Sequence, residues 1–471
     1  MVESTIQKFT PAERLKDILK TISNEPLTNP REFTSFYRHE LNDSRGNNQI
    51  AMIKLGLQDA HYPRFFKSFV LGHGGVGKST ELTGISDSAK ERFNTIRFSV
   101  EKDLDPENFE PSDVLLLMVA LVGEKCACSI EEGGTGRKPS EQLLRSFLDW
   151  FAIEKETVKK ATLRGAKLAA GAGISEDSLW AKTLGLFANF KSEVKYNVTR
   201  ETETITHRNS RFSDLIVLAN SFFDECNTML KEASDRQWLF IGEDFDKNSI
   251  KLSLTEKLFI SYRTMWPSLR VHFIFTLPIQ LAYHQAAQLP PIQRFIIPDI
   301  PVYDQDHKVH REGRNAIQAV LTARVSPALF ADGQMERLIV ASGGNIRDLF
   351  TMVTYASNSA RIHNNEIIEK VDVDSSISEM RSEYRSQLGS TGYENIEISV
   401  DEKINKLLAI YHNKPRCDLP DAILYSLLRS RAVQEFNGKR WFGVHPIVVD
   451  YLDSLGEIEL GKNGFVPGGL I

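Results

Sequence analysis

The stretch Gly72-His73-Gly74-Gly75-Val76-Gly77-Lys78-Ser79-Thr80 fits G-x-x-x-x-G-K-[ST], the pattern of a phosphate-binding loop. A triphosphate is a dense anion, so consecutive backbone N–H groups must point inward around it with no side chains in the way. Gly72, Gly74, Gly75 and Gly77 remove that obstruction and permit unusual backbone angles. His73 and Val76 fill the variable positions. Lys78 is placed to reach the β- and γ-phosphates, and the Ser79 hydroxyl, followed by Thr80, to ligate Mg²⁺. The context agrees. Phe65 to Leu71 is apolar and β-prone, as a buried parallel strand is, and Ser79 to Thr83 opens a helix.

Such a loop needs acids elsewhere. Gln237-Trp238-Leu239-Phe240-Ile241-Gly242 reads as a buried strand ending in Glu243-Asp244-Phe245-Asp246-Lys247. One carboxylate must hold Mg²⁺ through its water shell, and a neighbour must orient or deprotonate the attacking water. Glu243 is assigned to the metal and Asp244 to the water, with Asp246 left to fix the following turn or face a neighbouring subunit. Thr276 ends the next apolar run, Val271 to Pro278, where ligands bind in open α/β sheets. Its hydroxyl either contacts the γ-phosphate or the water, or merely caps the strand; His272 reads as a packing residue. Arg294 stands just before a fifth strand reading to Ile300, placed either to complete a neighbour's site or as a surface residue. In Ala341-Ser342-Gly343-Gly344-Asn345-Ile346-Arg347 the glycines end one helix and Asn345 caps the next. Arg347 then lies in a helix's first turn, unfavourable for a cation unless an anion such as a nucleotide phosphate joins it.

These elements sit in a 471-residue chain with 41% hydrophobic and 25% charged residues, ordinary for a globular protein with room for several domains. The net charge of −5 advertises neither nucleic acid nor an anionic membrane as partner. Cys126, Cys128, Cys226 and Cys417 have neither disulfide-framework nor metal-ligand spacing. With no leader at the N-terminus and the longest apolar run, Val114 to Val122, far short of a bilayer, the expectation is a cytoplasmic protein without a membrane anchor.

Along the chain, residues 1–60 read as a helical lead-in and 61–305 as an α/β core with a parallel sheet, interrupted by an insertion at 131–209. Within the core, Ser112-Asp113 caps an apolar helix reaching about Val122, and Ser140 to about Lys167 reads as helix, with Lys160, Arg164 and Lys167 on one face. Residues 306–395 read as a helical lid. Residues 396–471 read as helices followed by a hairpin turning at Asn437-Gly438, the pattern of a winged helix. Residues 400–471 carry nine Lys/Arg and nine Asp/Glu, which weakens a DNA role although Arg429, Arg431, Lys439 and Arg440 cluster in sequence.

The ordered set resembles the AAA+ ATPases, in the branch near the origin-recognition initiators and the STAND signalling ATPases. That resemblance implies ATP and Mg²⁺ as cofactors. It places Lys78 and Ser79 in Walker A, Glu243 and Asp244 in Walker B, Thr276 at sensor 1, Arg347 at sensor 2 and Arg294 at the arginine finger. The usual metal residue there is Asp, so Glu243 departs from the pattern. The phrases around Lys78 and Glu243-Asp244-Phe245-Asp246-Lys247 are also similar to bacterial P-loop ATPases found beside effectors in anti-phage defence loci. Three functions follow as expectations: an ATP-hydrolysing switch read by a protein effector or through self-association, a DNA-binding initiator or loader, and a nucleotide-binding scaffold without turnover.

Overall fold

The apolar runs form a five-stranded, all-parallel sheet. In this computed structural model the described residues are 9–46, 48–61, 63–151, 178–196, 208, 210–247, 249–284, 289–389, 391–393, 396–436 and 440–459. Strands β1 (Lys67–Gly72), β2 (Phe93–Ser99), β3 (Gln237–Glu243), β4 (His272–Pro278) and β5 (Gln293–Ile296) lie in the order β2-β3-β4-β1-β5. All pairs are parallel, with Val70 of β1 opposite Thr276 of β4 and Gly72 opposite Pro278. Every residue of β4 is buried, as a strand covered on both faces requires. The expected α/β class with a parallel sheet is what the chain adopts.

The two faces are covered differently. On one, Val70, Ile241 and Ile274 pack with Leu82 and Ile85 of the helix Lys78–Ala89 and with Ile53 and Leu57 of Gln49–Asp59. On the other, Phe69, Phe240 and Phe273 meet a helical layer made of Pro111–Ala127, Glu141–Phe151, Leu179–Tyr196 and Phe212–Ser234. The described part of the 131–209 stretch is thus integral to the core: Phe147 stands 5.7 Å from Phe187 and 5.1 Å from Phe222.

Three local readings change. The helix placed from Ser112 begins at Pro111, whose missing N–H suits a first helical position, and the Glu110 N–H donates to the Asp113 carboxylate at 2.7 Å. It also runs on to Ala127. The fifth strand ends at Ile296, before Pro298, and Arg294 lies inside it. Of the helix expected from Ser140, Glu141–Phe151 is seen, and Lys160, Arg164 and Lys167 fall outside the described residues.

Beyond the sheet come the helices Arg311–Thr322, Gln334–Ala341, Ile346–Ile362 and Lys370–Gln387. They are followed by Val400–Tyr411, Ala422–Arg429, an antiparallel hairpin of Val433–Phe436 with Trp441–Val444, and Pro446–Ser454. These share one apolar cluster: Leu338, Leu349 and Val353 belong to it together with Leu427, Val433, Ile447 and Val448. Ala12, Leu15 and Ile18 of the lead-in join it as well. Among the described residues no helix is long and apolar enough to cross a membrane.

Buried imidazoles tie the fold to pH. His272 accepts the Phe66 N–H on Nδ1 at 2.9 Å and lies 2.9 Å from the Gln237 amide oxygen on Nε2, a pattern that requires the neutral ring. Burial, aided by Lys67 and Arg92, lowers its pKa to about 3. His445 accepts the Ile447 N–H on Nδ1, and burial lowers it to about 4. The unfolded chain takes up these protons near the ordinary value of about 6.5 while the native state refuses them, so stability is full above that value and lost as pH falls toward the native pKa. We expect the melting temperature to fall between pH 7 and pH 5, with each histidine contributing up to about 1.4 kcal/mol per pH unit. Melting curves across that range check it. His272→Asn keeps an acceptor for Phe66 and should melt lower at pH 7 but with a shallower pH slope.

Candidate functional site

The site lies at the carboxyl ends of β1 and β3, with β4 between them. β1 delivers the chain into the glycine loop, and Gly77 (φ +93) starts the helix Lys78–Ala89. The Lys78 ammonium has three donors and three close acceptors: the Gly72 carbonyl at 2.9 Å, the His73 carbonyl at 2.7 Å and the Asp246 carboxylate at 2.7 Å. Asp246, which the sequence reading leaves to a turn or a neighbouring subunit, is therefore the counter-ion of the loop lysine. His73 is buried, and burial, with Arg431 and Lys78 nearby, lowers its pKa to about 3.

The loop is gripped from two sides. From the lead-in, Arg45 pairs with Glu81 at 3.1 Å, both side chains buried, and donates to the Val76 carbonyl. Tyr37 donates to the same Glu81 at 2.8 Å, and the Leu27 N–H donates to the Thr80 hydroxyl at 3.2 Å. From the other side comes the start of Ile346–Ile362. Gly344, at φ +81 and pressed against Ile300, lets the chain turn, and a Cβ there would meet the Ile300 carbonyl at 1.7 Å. Asn345 then caps the helix by accepting the Arg347 N–H at 3.1 Å and the Asp348 N–H at 3.3 Å. Its amide donates to the Gly74 carbonyl at 3.0 Å and the Asp299 carboxylate at 2.8 Å. A Cβ on Gly75 would strike the Asn345 side chain at 2.4 Å, and one on Gly74 would come within 3.1 Å of the Arg347 guanidinium. Arg347 thus lies over the loop, exposed, with no ion pair among the described residues.

The acids after β3 divide among different partners. Glu243 Oε1 accepts from Arg97 Nε at 2.8 Å and from a terminal guanidinium nitrogen at 2.5 Å; the same guanidinium donates to the Thr83 hydroxyl at 2.8 Å and the Ser79 carbonyl at 3.3 Å. Asp244, held at φ +69, accepts from the Ser99 hydroxyl and lies 3.5 Å from the Lys247 ammonium. A residue of this type in that backbone region is uncommon and costs energy that its surroundings must offset. Thr276 is buried on β4 and its hydroxyl has no partner among the described residues, while Pro278 and Gln280 are the residues beyond it that face the cavity. Arg294 is exposed on the edge strand β5 and does not line the cavity.

Loop, lid and acids enclose a cavity of about 1050 Å³. Its lining combines polar residues, Lys78, Ser79, Glu243, Asp244, Asp246 and Arg347 among them, with an apolar set that includes Phe36, Leu41, Val320, Ile346 and Phe350. Between Phe36 and Phe350 sits Arg324, whose guanidinium lies 4.5 Å and 5.0 Å from the two rings, and burial lowers its pKa to about 9. Among the described residues no group of three or more His, Cys, Asp or Glu forms a metal cage. A Mg²⁺ held mostly by phosphates and water needs only one or two protein oxygens, and Ser79, Glu243, Asp244 and Asp246, which all line the cavity, would be able to supply them.

The C-terminal hairpin unit reaches this site. Arg429 and Arg431 line the cavity. Arg431 pairs with Asp348 at 2.7 Å, and the Tyr384 hydroxyl donates to the same carboxylate at 2.7 Å. Burial works against both charges, yet the neighbours together outweigh it: Arg431, His445 and Tyr384 hold Asp348 below its ordinary value, and Asp348, Tyr384 and Asp299 hold Arg431 above its own. Gln434 donates to the Gly343 carbonyl at 3.0 Å, and His445 lies 3.1 Å from the Ser342 carbonyl. Arg440 is tied to Glu435 at 2.7 Å. Of the basic cluster noted in sequence, Arg431 and Arg440 are thus bound within the fold, Arg429 faces the cavity and Lys439 falls outside the described residues.

No family model and no curated protein matches the chain. Among solved structures it is similar to Cdc6p from Pyrobaculum aerophilum, at 9% identity over 90% of this chain and 96% of that one, with a TM-score of 0.34. It is also similar to the Drosophila ORC bound to DNA, at 11% identity over 96% and 95% with a TM-score of 0.33. A third is the Aeropyrum pernix ORC2 protein in its ADPNP-ADP complexes, at 10% identity over 87% and 94% with a TM-score of 0.35. At these values the functional conclusion has to come from the site's own geometry.

Removing Arg431 leaves Asp348 as an uncompensated buried charge. Arg431→Ala should cost about 3–5 kcal/mol, read by denaturant unfolding. Adding Asp348→Asn to Arg431→Ala should recover part of that loss, because no unpaired charge then remains.

Proposed function

We propose that this chain is an ATP-binding and ATP-hydrolysing switch of the AAA+ type, whose nucleotide state is read by a partner protein. The observation that carries this reading is the arrangement around Lys78: a glycine loop at the end of a parallel strand, acids after β3, and Arg347 and Asn345 laid over the loop from a separate helical element. The loop N–H groups and Lys78 take the phosphates. The apolar part of the lining, Phe36, Leu41 and Phe350, takes the planar base, with the Arg324 guanidinium beside two of these rings. Mg²⁺, when bound, neutralises phosphate charge, and Ser79 with a carboxylate after β3 would hold it. Asp244 orients or deprotonates the attacking water, and its partners Ser99 and Lys247 fix its direction.

Arg347 faces the γ-phosphate, so its loss on hydrolysis removes a charge-assisted contact between loop and lid. The lid shares its apolar cluster with the C-terminal helices and hairpin, which read as a winged helix, so a lid movement is transmitted to them. A partner protein, or a second copy contacted through Arg294, reads that movement. The phrases shared with defence-associated ATPases favour an effector as the partner. A DNA-loading role is the second reading: Arg431 is engaged inside the fold, whereas Arg440, though paired with Glu435, keeps an exposed side chain.

Lys78→Ala should lose ATP binding by at least about tenfold, a difference of about 1.4 kcal/mol, measured with a fluorescent ATP analogue; unchanged affinity would refute the reading. Asp244→Asn should bind ATP and lose turnover. Turnover that duplex DNA stimulates would replace the switch by the loader, and binding without turnover in the wild type would leave a scaffold.

A further inference from the structure

The three acids after β3 are not equivalent, and their partners differ in what nucleotide binding does to them. Glu243 is paired with Arg97, whose guanidinium also holds the Ser79 carbonyl and the Thr83 hydroxyl. That pair braces the first turn of the loop helix against β2 and β3, and no step of phosphate binding requires it to open. Asp244 is held by Ser99 and Lys247. Asp246 alone is paired with a group that must change partners, because Lys78 is the residue phosphates will claim.

We infer that Asp246, not Glu243, is the carboxylate that holds Mg²⁺ through its water shell, and that Glu243 with Arg97 is a positioning pair. The inference rests on the nucleotide-binding reading above and names the division of labour within that site. When a triphosphate draws the Lys78 ammonium away, Asp246 is left anionic and largely buried, with its carboxylate close to the incoming phosphate charge. Like charges so placed repel, and a divalent cation between them converts repulsion into attraction. The Lys78–Asp246 pair gives way to Mg²⁺ and phosphate together. Glu243 differs in that its Oε1 is committed to Arg97 by two hydrogen bonds, a pairing that phosphate binding leaves in place.

The test is the affinity of a fluorescent ATP analogue with and without Mg²⁺, for wild type, Asp246→Asn and Glu243→Gln. In the wild type Mg²⁺ should strengthen binding by about tenfold or more. Asp246→Asn should bind the Mg²⁺-free analogue more tightly than wild type, since Lys78 no longer has an anion to leave, and should gain less than about twofold from Mg²⁺. A variant that merely misfolds would weaken both measurements. Glu243→Gln should lower the melting temperature and weaken binding by the same factor with and without Mg²⁺, leaving the wild-type ratio. Any other pattern overturns the assignment: a Mg²⁺ gain kept in Asp246→Asn, a Mg²⁺ gain lost in Glu243→Gln, or none in the wild type. Failure of the wild type to bind the analogue at all would remove the nucleotide reading itself. Binding by the wild type with a wrong pattern in the variants would remove only the role of Asp246.

Discussion

The space beside Gly75 is already taken by Asn345 and Arg347, and the rest of the structure follows from that close approach. A side chain at Gly75 would hold the lid off the loop. Its absence lets one asparagine do two things: cap its own helix by accepting two backbone N–H groups, and donate to the Gly74 carbonyl. The lid is thereby registered on the loop backbone by one side chain whose amide oxygen is tied to its own helix, which fixes its rotamer. Arg347, two residues on, inherits that registration. Its placement in a first helical turn, unfavourable by the helix dipole alone, becomes reasonable where an anion completes the site.

The same few residues extend the linkage outward. Asp348 follows Arg347 directly and is held by Arg431 and Tyr384, while the Gly343 carbonyl before the cap takes a hydrogen bond from Gln434. One short segment, 343–348, therefore touches the phosphate loop on one side and the C-terminal hairpin unit on the other. Both contacts are polar and buried, so each is costly to leave half-made. Such contacts favour a few complete arrangements over a continuum, which is what a switch requires. The apolar cluster shared by the lid and the C-terminal unit supplies stiffness, and the polar segment supplies the choice of position.

How much of this was legible depends on sequence distance. The phosphate loop, its strand and its helix are local, and the pattern of residues 65–83 announces them. The Gly343-Gly344-Asn345 break is local too, and cap and turn chemistry read it. The pairings around the site are not local. Arg97 and Glu243 are 146 residues apart, and Arg45 meets Glu81 across 36. A lone arginine in a helical lead-in carries no mark of its partner. Arg97 left no signal either, because it alternates with Ile96 and Phe98 along the edge strand β2, where a half-exposed cation is ordinary. Asp246 was ambiguous for the opposite reason: three acids in four residues give the chemistry but not the order, and only the turn after β3 decides which one reaches Lys78. Arg431 reads as part of a basic patch because sequence shows its neighbours in the chain and not Asp348 in space.

Magnitudes limit what nucleotide alone accomplishes. Moving a two-state element from almost wholly one arrangement to almost wholly the other takes about 5.5 kcal/mol of differential binding. A hydrogen bond to a charged group contributes about 1.5–3 kcal/mol, so a γ-phosphate contact through Arg347 covers less than the whole shift. Exchanging the Lys78–Asp246 pair for phosphate and cation acts at the loop itself, and reaches the lid only through Asn345 and Gly74. The buried Asp348–Arg431 pair stays satisfied as long as lid and hairpin unit travel together, so it resists separation of the two and does not bias their joint position. On the proposed reading a nucleotide-driven shift is then partial, and the remaining free energy has to come from whatever binds the moved surface. A partner so engaged is not a passive reader: its binding and the nucleotide state would be coupled, each changing the other's affinity by the same factor.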